Sequence, residues 1–337
     1  MTNYINNLIQ LPGLFFNLIQ KLYHQRSFIR ETLAIDIEYS KKANDGSLAD
    51  KDYKKIVRYY GYAVPAIVGE SLCILRGRKM SRKERTAITY VGALSGLFDD
   101  LIDKKELAEN YIKELIEHPY DHTGNDAHEK LFLNFGRKVL ENSADTALIK
   151  EYYLNVFDAQ ILSKKQKLQE TSVKEIEDIT YLKGGCSFLF YCSIFGPVQN
   201  EKENRMIYKL GALMQLENDI FDIYKDNRDG IRTLATCEKS MKHLREVYQQ
   251  LMDEIFQLAQ QTGYHRKNIR AFLRIVAAVI CRGFVCLDRL EKNEKSTNNT
   301  FSLSEYSRKD LICDMEKPVN FLRTIDYYAR CNFNQYI

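Results

Sequence analysis

Gly96-Leu-Phe-Asp-Asp-Leu-Ile-Asp103 is the stretch of sequence on which the fold assignment depends. Apolar residues recur around it at spacings of three and four, which predicts a helix with a buried face. Ionised aspartates in such a helix cost free energy unless a cation offsets their charge. On a helix, Asp99 and Asp103 lie one turn apart on one face, whereas Asp100 points to another side. The stretch therefore predicts a helix that presents carboxylates to a divalent cation.

A second acidic stretch, residues 218–226, lies more than a hundred residues later in another apolar segment. Asn218, Asp222 and Asp226 are four residues apart, so on a helix they form one polar stripe, with Asp219 one residue off it. Oxygen-bearing side chains at this spacing suit Mg²⁺. Either cluster alone is also typical of a solvated helix face. The presence of both in apolar helices favours a metal cage that holds a polyphosphate.

Basic residues near these clusters are candidates to contact phosphate oxygens. Arg228 and Arg232 follow the second cluster and carry fixed positive charge. Lys183 precedes Gly184 and Gly185 inside an apolar stretch, where each glycine costs about 1 kcal/mol relative to alanine. The glycine pair predicts a kink or the close approach of a ligand, with Lys183 reaching a phosphate. A structural break beside a surface lysine is the alternative.

The composition indicates one helical domain over residues 1–337. Hydrophobic residues make up 45% of the chain and there are five prolines, so a sizeable core and long helices are expected. Residues 1–30 are a candidate amphipathic extension, with apolar positions such as Leu8, Ile9 and Ile19. Packing of this helix on the body is favoured over contact with a membrane surface.

Charge and cysteine content narrow the functional classes further. The net charge of +4 comes from interspersed basic and acidic residues, which argues against nucleic acid as a partner. The eight cysteines include no C-x-x-C pair, which predicts free thiols and a cytoplasmic location. There is no apolar run of about 20 residues, so no membrane span is expected. The six histidines lack a Glu three residues before them, which excludes the di-iron carboxylate motif.

These residues resemble the class I isoprenoid synthases: trans-prenyl diphosphate synthases, squalene and phytoene synthases, and terpene cyclases. Asp99-Asp-Leu-Ile-Asp103 is similar to their first aspartate-rich motif. Gln215-Leu-Glu-Asn-Asp-Ile-Phe-Asp222 resembles the second motif of chain elongators, with Asn218 for its first aspartate and Met214 for its phenylalanine. The stretch through Arg232 is also similar to the N-x-x-x-D-x-x-x-D pattern of the squalene and phytoene type. The resemblance covers roughly residues 70–240.

The resemblance implies an all-α bundle around a central apolar pocket, with both acidic motifs at its mouth. It implies Mg²⁺, three ions in number, with Mn²⁺ as the alternative, and an allylic isoprenyl diphosphate as substrate. The metal ligands it implies are Asp99, Asp100, Asp103, Asn218, Asp219, Asp222 and Asp226. Of these, the catalytic residues are Asp99, Asp103, Asn218, Asp222 and Asp226. The residues it implies for the substrate diphosphate are Lys183, Arg228 and Arg232.

Departures from the family pattern favour a one-substrate enzyme. Chain elongators carry an arginine pair after the first motif, whereas residues 104–107 here read Lys-Lys-Glu-Leu. The basic run over residues 76–85 opens the aspartate helix itself, and we favour a solvated loop over a second diphosphate site. We therefore expect a terpene synthase. The alternatives are a prenyltransferase that joins two isoprenoid diphosphates and a non-catalytic isoprenoid binder. A homodimer is left open.

Overall fold

The protein is all-helical, as the sequence predicts. A computed structural model describes residues 2–103, 105 and 107–333, and of Thr2, Tyr59 and Asp103 it describes the backbone alone. Helices account for 78% of the described residues, among which there is no β-strand. None of the helices in those ranges has both the length and the apolar run required to cross a bilayer.

The chain divides into two compact units. The N-terminal unit comprises Gly13–Ile161 and Phe190–Val198, and the C-terminal unit comprises Met1–Pro12, Leu162–Leu189 and Gln199–Ile337. The first helices are α1 (Thr2–Glu31), α2 (Leu33–Lys42), α3 (Asp50–Lys55), α4 (Gly61–Ala63), α5 (Glu70–Leu75), α6 (Arg82–Asp103), α7 (Glu109–Glu117), α8 (Ala127–Glu141) and α9 (Thr146–Ser163). The later helices are α10 (Val173–Ser193), α11 (Glu201–Phe221), α12 (Ile223–Arg228), α13 (Leu234–Cys237), α14 (Met241–Gln260), α15 (Arg266–Ser296), α16 (Arg308–Leu311) and α17 (Pro318–Arg330). Short π-helical segments at Ile56–Tyr60 and Val64–Gly69 flank α4.

Capping boxes begin the two helices that matter most for the site. The Ser81 N–H donates to Glu84 Oε2 at 2.8 Å, and the Glu84 N–H donates back to Ser81 Oγ at 3.2 Å. The Ser172 and Glu175 pair repeats the arrangement at 2.9 and 3.2 Å. Each box satisfies amides that have no partner within the helix. The Ser-x-x-Glu pattern in the sequence therefore marks the starts of α6 and α10.

Each unit has its own core. In the N-terminal unit α6 packs along α8, and Leu94, Leu97 and Phe132 are buried there. In the C-terminal unit α11 packs on α14 and α15. Tyr248 is fully buried, and its hydroxyl donates to the Ile280 carbonyl oxygen at 2.7 Å, which links α14 to α15.

The first helix, α1, covers nearly the same residues as the predicted extension and is packed along one side. Leu11 and Phe28 are buried, and Leu8 is partly buried. Ile9 and Ile19, which the sequence assigned to the apolar packing side, are exposed at 71% and 63%. The packed face is therefore narrower than the predicted one.

The expected kink at Gly184-Gly185 is wrong, because α10 runs without a break from Val173 to Ser193. A Cβ at Gly184 would lie 2.1 Å from the Gly211 carbonyl oxygen, and a Cβ at Gly185 would lie 2.3 Å from the Tyr208 ring. The glycines therefore permit close contact between α10 and α11. This contact, rather than a ligand, accounts for the absence of side chains at both positions.

Candidate functional site

The second acidic cluster lies where α11 gives way to α12. Helix α11 ends at Phe221, and Asp222 has φ −89° and ψ 5° before α12 begins at Ile223. The Asp222 N–H donates to the Asn218 carbonyl oxygen at 2.8 Å, and the Asp226 N–H donates to that of Asp222 at 2.9 Å. The spacing of the predicted stripe is thus kept across the break. Asn218 is exposed, Asp222 is half-buried and Asp226 is buried, so the stripe runs from the surface inward.

Asp219 is fixed by neutral donors from two helices. Gln215 Nε2 donates to its Oδ1 at 2.8 Å, and Thr180 Oγ1 of α10 donates to its Oδ2 at 3.2 Å. Asp219 is 3% exposed. Burial raises the pKa of Asp219 to about 6, although the Gln215 hydrogen bond and the Lys183 charge act in the opposite direction. No described cation makes an ion pair with this carboxylate.

Asp226 is the least compensated carboxylate of the cluster. It is 6% exposed, and its side chain makes no hydrogen bond to any described residue. Burial raises the pKa of Asp226 to about 7, and the charges of Asp219 and Asp222 add to the shift. Lys225 and Lys183 oppose it. A bound cation would stabilise the ionised form that this environment disfavours.

Lys183 lies close enough to the cluster to act on it electrostatically. Its charge lowers the pKa of both Asp219 and Asp226, against the larger effect of burial. Lys183 is half-buried, and no described residue accepts a hydrogen bond from its ammonium group. Lys225, by contrast, donates to Asp222 Oδ2 at 3.2 Å. Of the two lysines, Lys183 has the ammonium that remains available to an anion.

The two arginines assigned to the diphosphate have protein partners. Arg228 donates to both carboxylate oxygens of Asp229 at 2.8 and 3.1 Å, at an exposed position. Arg232 Nη1 donates to three carbonyl oxygens of the segment before α10. The Arg232 backbone N–H donates to the carbonyl oxygen of Gln166 at 2.8 Å. The three carbonyls belong to Leu168, Gln169 and Thr171. Arg232 therefore anchors this segment, and a contact with phosphate stays a prediction for both arginines.

The first acidic cluster occupies the end of α6 in the N-terminal unit. Asp99 and Asp100 are half-buried. The side chain of Asp103 lies outside the described part of the structure. Lys105 forms an ion pair with Asp126 and also lies 3.7 Å from Glu129, so it holds the end of α6 against the start of α8.

An aromatic cluster lies under Asp99. The rings of Phe98 and Tyr153 are 5.2 Å apart, and Tyr153 stacks on Phe190 at 4.8 Å. Burial raises the pKa of Tyr153 far above its usual range, and the Asp99 charge adds to the shift. The Tyr153 hydroxyl is buried and has no hydrogen-bond partner among the described residues. Sequence reasoning did not single out Tyr153, because nothing in its local spacing distinguishes it from core.

A cavity of about 20 Å³ adjoins this cluster, and its lining includes Leu94, Phe132, Tyr153 and Phe190. That volume is close to the space needed by one water molecule. Pockets for drug-sized ligands measure about 300–1,000 Å³. An isoprenoid chain therefore requires space beyond this cavity.

Sequence reasoning also missed the groups that orient Asp219. Gln215 lies four residues before Asp219 on one helix, so the spacing alone could have revealed this pair. Thr180 lies on a different helix, and no local pattern points to it. Within the described residues, no three His, Cys, Asp or Glu side chains are close enough together to hold a metal ion. A metal site here would need Asn218, Asp103 or ligands from the substrate.

Comparisons with known proteins do not supply a family. No protein-family model matches the sequence, and no curated protein is significantly similar to it. The function is therefore argued from the candidate site itself.

Proposed function

We propose that the protein is a Mg²⁺-dependent class I terpene synthase that ionises an allylic isoprenyl diphosphate. The observation that supports this most is Asp226, a nearly buried carboxylate with no hydrogen bond to the described residues and two further carboxylates within electrostatic range. Several carboxylates placed close together cost stability unless enough positive charge compensates them, and such groups are typical of sites that bind a metal ion. The donors are all oxygens, which suits Mg²⁺.

The residues of the second cluster have distinct roles in this proposal. Asn218, Asp222 and Asp226 supply oxygen ligands along the stripe, while Thr180 and Gln215 hold Asp219 in place beside them. Lys183 attracts the diphosphate and favours the ionised state of the neighbouring carboxylates. Bound Mg²⁺ supplies positive charge that stabilises the diphosphate as it leaves.

The first cluster and its aromatic neighbours complete the proposal. Asp99, Asp100 and Asp103 provide further carboxylates from a second helix, α6. Aromatic faces attract cations, so Phe98, Tyr153 and Phe190 are suited to stabilise an allylic cation. The Tyr153 hydroxyl, which has no hydrogen-bond partner among the described residues, is a polar group that could contact such a cation or accept the proton that it loses.

The contacts of the basic run favour one substrate over two. Arg76 Nη1 donates to the Phe195 carbonyl oxygen at 2.8 Å, and Arg78 binds Glu84 through both amino groups at 2.9 and 2.6 Å. Arg85 is 6% exposed and pairs with Glu70. These three arginines serve the fold and are not available to a second diphosphate.

The deciding experiment measures diphosphate release and analyses the organic extract by gas chromatography–mass spectrometry. Geranyl, farnesyl and geranylgeranyl diphosphates are offered singly, with and without Mg²⁺ and isopentenyl diphosphate. A Mg²⁺-dependent hydrocarbon or alcohol from one allylic substrate is the expected result. A longer diphosphate formed only with isopentenyl diphosphate would instead identify a prenyltransferase. No turnover of any substrate, alongside tight substrate binding, would identify a non-catalytic binder.

A further inference from the structure

A second polar cluster, whose members lack partners among the described residues, lies in the C-terminal unit on α15 and α17. Arg270 and Arg274 are one turn apart on α15, and the Nε of each is buried and has no hydrogen-bond partner in the described part of the chain. Tyr328 of α17 is 1% exposed, and no described residue forms a hydrogen bond with its hydroxyl. The Phe333 ring joins Arg274 to Tyr328, because the Arg274 guanidinium lies 5.5 Å from its centroid and the centroid of the Tyr328 ring lies 5.4 Å from it.

The cluster carries positive charge that no acidic side chain among the described residues balances. Burial lowers the pKa of Arg274; among the described residues Tyr328 opposes this shift and Arg270 adds to it. Neither arginine forms an ion pair or a hydrogen bond with a described residue. Arg282, on the same helix, shows the usual arrangement, since it pairs with Glu217 at 3.1 Å. Two like charges one turn apart destabilise a helix, so this arrangement is costly without an anion.

The cluster is separate from the proposed metal site. Cys286 of α15 contacts the Ile220 carbonyl oxygen, next to the second acidic cluster. Arg274 precedes Cys286 by twelve residues on the same helix, which corresponds to about 18 Å along the axis. A ligand of the arginine cluster would therefore not touch the Asn218–Asp226 stripe.

We propose that Arg270, Arg274 and Tyr328 form a metal-independent binding site for a phosphate-type oxyanion. Two guanidinium groups carry a charge of about +2, which matches the charge of about −1.5 to −2 on a phosphate group near neutral pH. Both arginine Nε–H groups and the tyrosine hydroxyl are donors that such oxygens would accept from. The phosphate is either free or the end of a larger ester. This proposal does not depend on the terpene synthase assignment.

Calorimetric titration of the full chain with inorganic phosphate, in EDTA at fixed ionic strength, tests the proposal. Saturable binding is expected for the wild type, and its loss in the Arg270→Gln/Arg274→Gln double variant. The Lys51→Gln/Lys54→Gln double variant removes the same charge from exposed positions of α3 and should bind like the wild type. A parallel titration with glycerol 3-phosphate distinguishes the sources, since tighter binding of the ester than of free phosphate would identify an ester as the ligand.

Tyr328→Phe provides a second test in case the arginine variant does not fold. Removing a buried hydroxyl without a partner should leave the melting temperature in phosphate-free buffer unchanged or higher. The same change should weaken phosphate binding about tenfold, because one hydrogen bond to a charged group is lost. Absence of saturable binding by the wild type would overturn the proposal. Equal affinity in the wild type and both site variants would overturn it as well.

Discussion

Asp226 is the residue whose replacement best separates stability from activity. Its carboxylate repels Asp219 and Asp222 and has no hydrogen bond to the described residues, so Asp226→Asn should not lower the melting temperature. If the carboxylate binds Mg²⁺, the same change should reduce diphosphate release by about 100-fold or more. Asp229→Asn is the matched control, because Asp229 pairs with Arg228 at an exposed position. Equal activity in Asp226→Asn and Asp229→Asn would remove Asp226 from the site.

Glu70 gives a pH dependence of stability within the N-terminal unit. Burial alone would raise the pKa of Glu70, but hydrogen bonds from Lys21 and Arg85 outweigh it and hold the pKa below its usual value of 4.5. A carboxyl whose pKa is lower in the folded state stabilises the fold above its unfolded pKa. That contribution is lost as the pH falls through the folded pKa. We therefore expect the melting temperature to decrease when the pH is lowered beyond about 4.5.

Glu70→Gln tests this expectation, since glutamine cannot ionise. At pH 7 the variant should be less stable than the wild type, because Lys21 and Arg85 lose their partner. The difference between the two proteins should shrink as the pH falls from 5 to 3. A difference that stays constant over this range, measured by thermal unfolding, would show that Glu70 is not responsible.

For individual residues of the candidate site, the spacing along the helix could be predicted from the sequence, but their hydrogen-bond partners could not. The four-residue period of Asn218, Asp222 and Asp226 is a property of the sequence itself, and the backbone keeps it. The contact of Thr180 with Asp219 depends on how α10 lies against α11. Likewise, nothing near Arg232 in the sequence indicates that it binds the carbonyl groups before α10. Long-range partners become visible only once helices are packed.

At the scale of elements, the contact between α10 and α11 depends on glycine. In Gly184→Ala the new methyl group would lie 2.1 Å from the Gly211 carbonyl oxygen, so the two helices must move apart. We expect a loss of about 1–3 kcal/mol in the free energy of unfolding, despite the higher helix propensity of alanine. Gly136→Ala in α8 is the control, since no atom lies within 4 Å of the added Cβ.

Chemical denaturation of both glycine variants provides the measurement. Gly136→Ala should be neutral or more stable by up to about 1 kcal/mol. If Gly184→Ala were as stable as Gly136→Ala, the helices would not be in close contact at this point. Because Lys183 precedes this glycine and acts on Asp219, we also expect Gly184→Ala to be less active.

The same elements show where sequence reasoning on helices succeeds. The starts of α6 and α10 follow from Ser–Glu pairs three residues apart, a signal contained within one turn. The meaning of Gly184-Gly185 depends on Gly211, which lies in another helix. The sequence predicted a kink or the close approach of a ligand at these glycines. The structure shows that the neighbouring group is helix α11. Helix capping could therefore be predicted from the sequence, whereas the packing of one helix on another could not.

For the whole molecule, the all-helical class followed from apolar spacing and few prolines, but the division into two compact units did not. Nothing in the composition marks a boundary near residue 161, because α9 passes through it without a Pro- or Gly-rich linker. The two acidic clusters belong to different units. We expect residues of both clusters to contribute to diphosphate binding, and this expectation can be tested directly.

Thermal unfolding with Mg²⁺ and inorganic diphosphate gives that test. If both clusters bind one metal–diphosphate group, adding Mg²⁺ in the presence of diphosphate should raise the melting temperature, and Mg²⁺ alone should have little effect. Saturation at about 100 times Kd adds about 2.7 kcal/mol, or an increase of about 5 °C for a protein of this size. Asp99→Ala, in the N-terminal unit, and Asn218→Ala, in the C-terminal unit, should each abolish the increase.

The Arg270→Gln/Arg274→Gln variant serves as the control for this experiment, because the arginine cluster would bind diphosphate without metal. It should retain the full Mg²⁺-dependent increase if the two sites are separate. An increase that survives Asp99→Ala but not Asn218→Ala would restrict binding to the second cluster. In that case the aspartates of α6 would not share the diphosphate, and the terpene synthase proposal would lose its two-cluster basis.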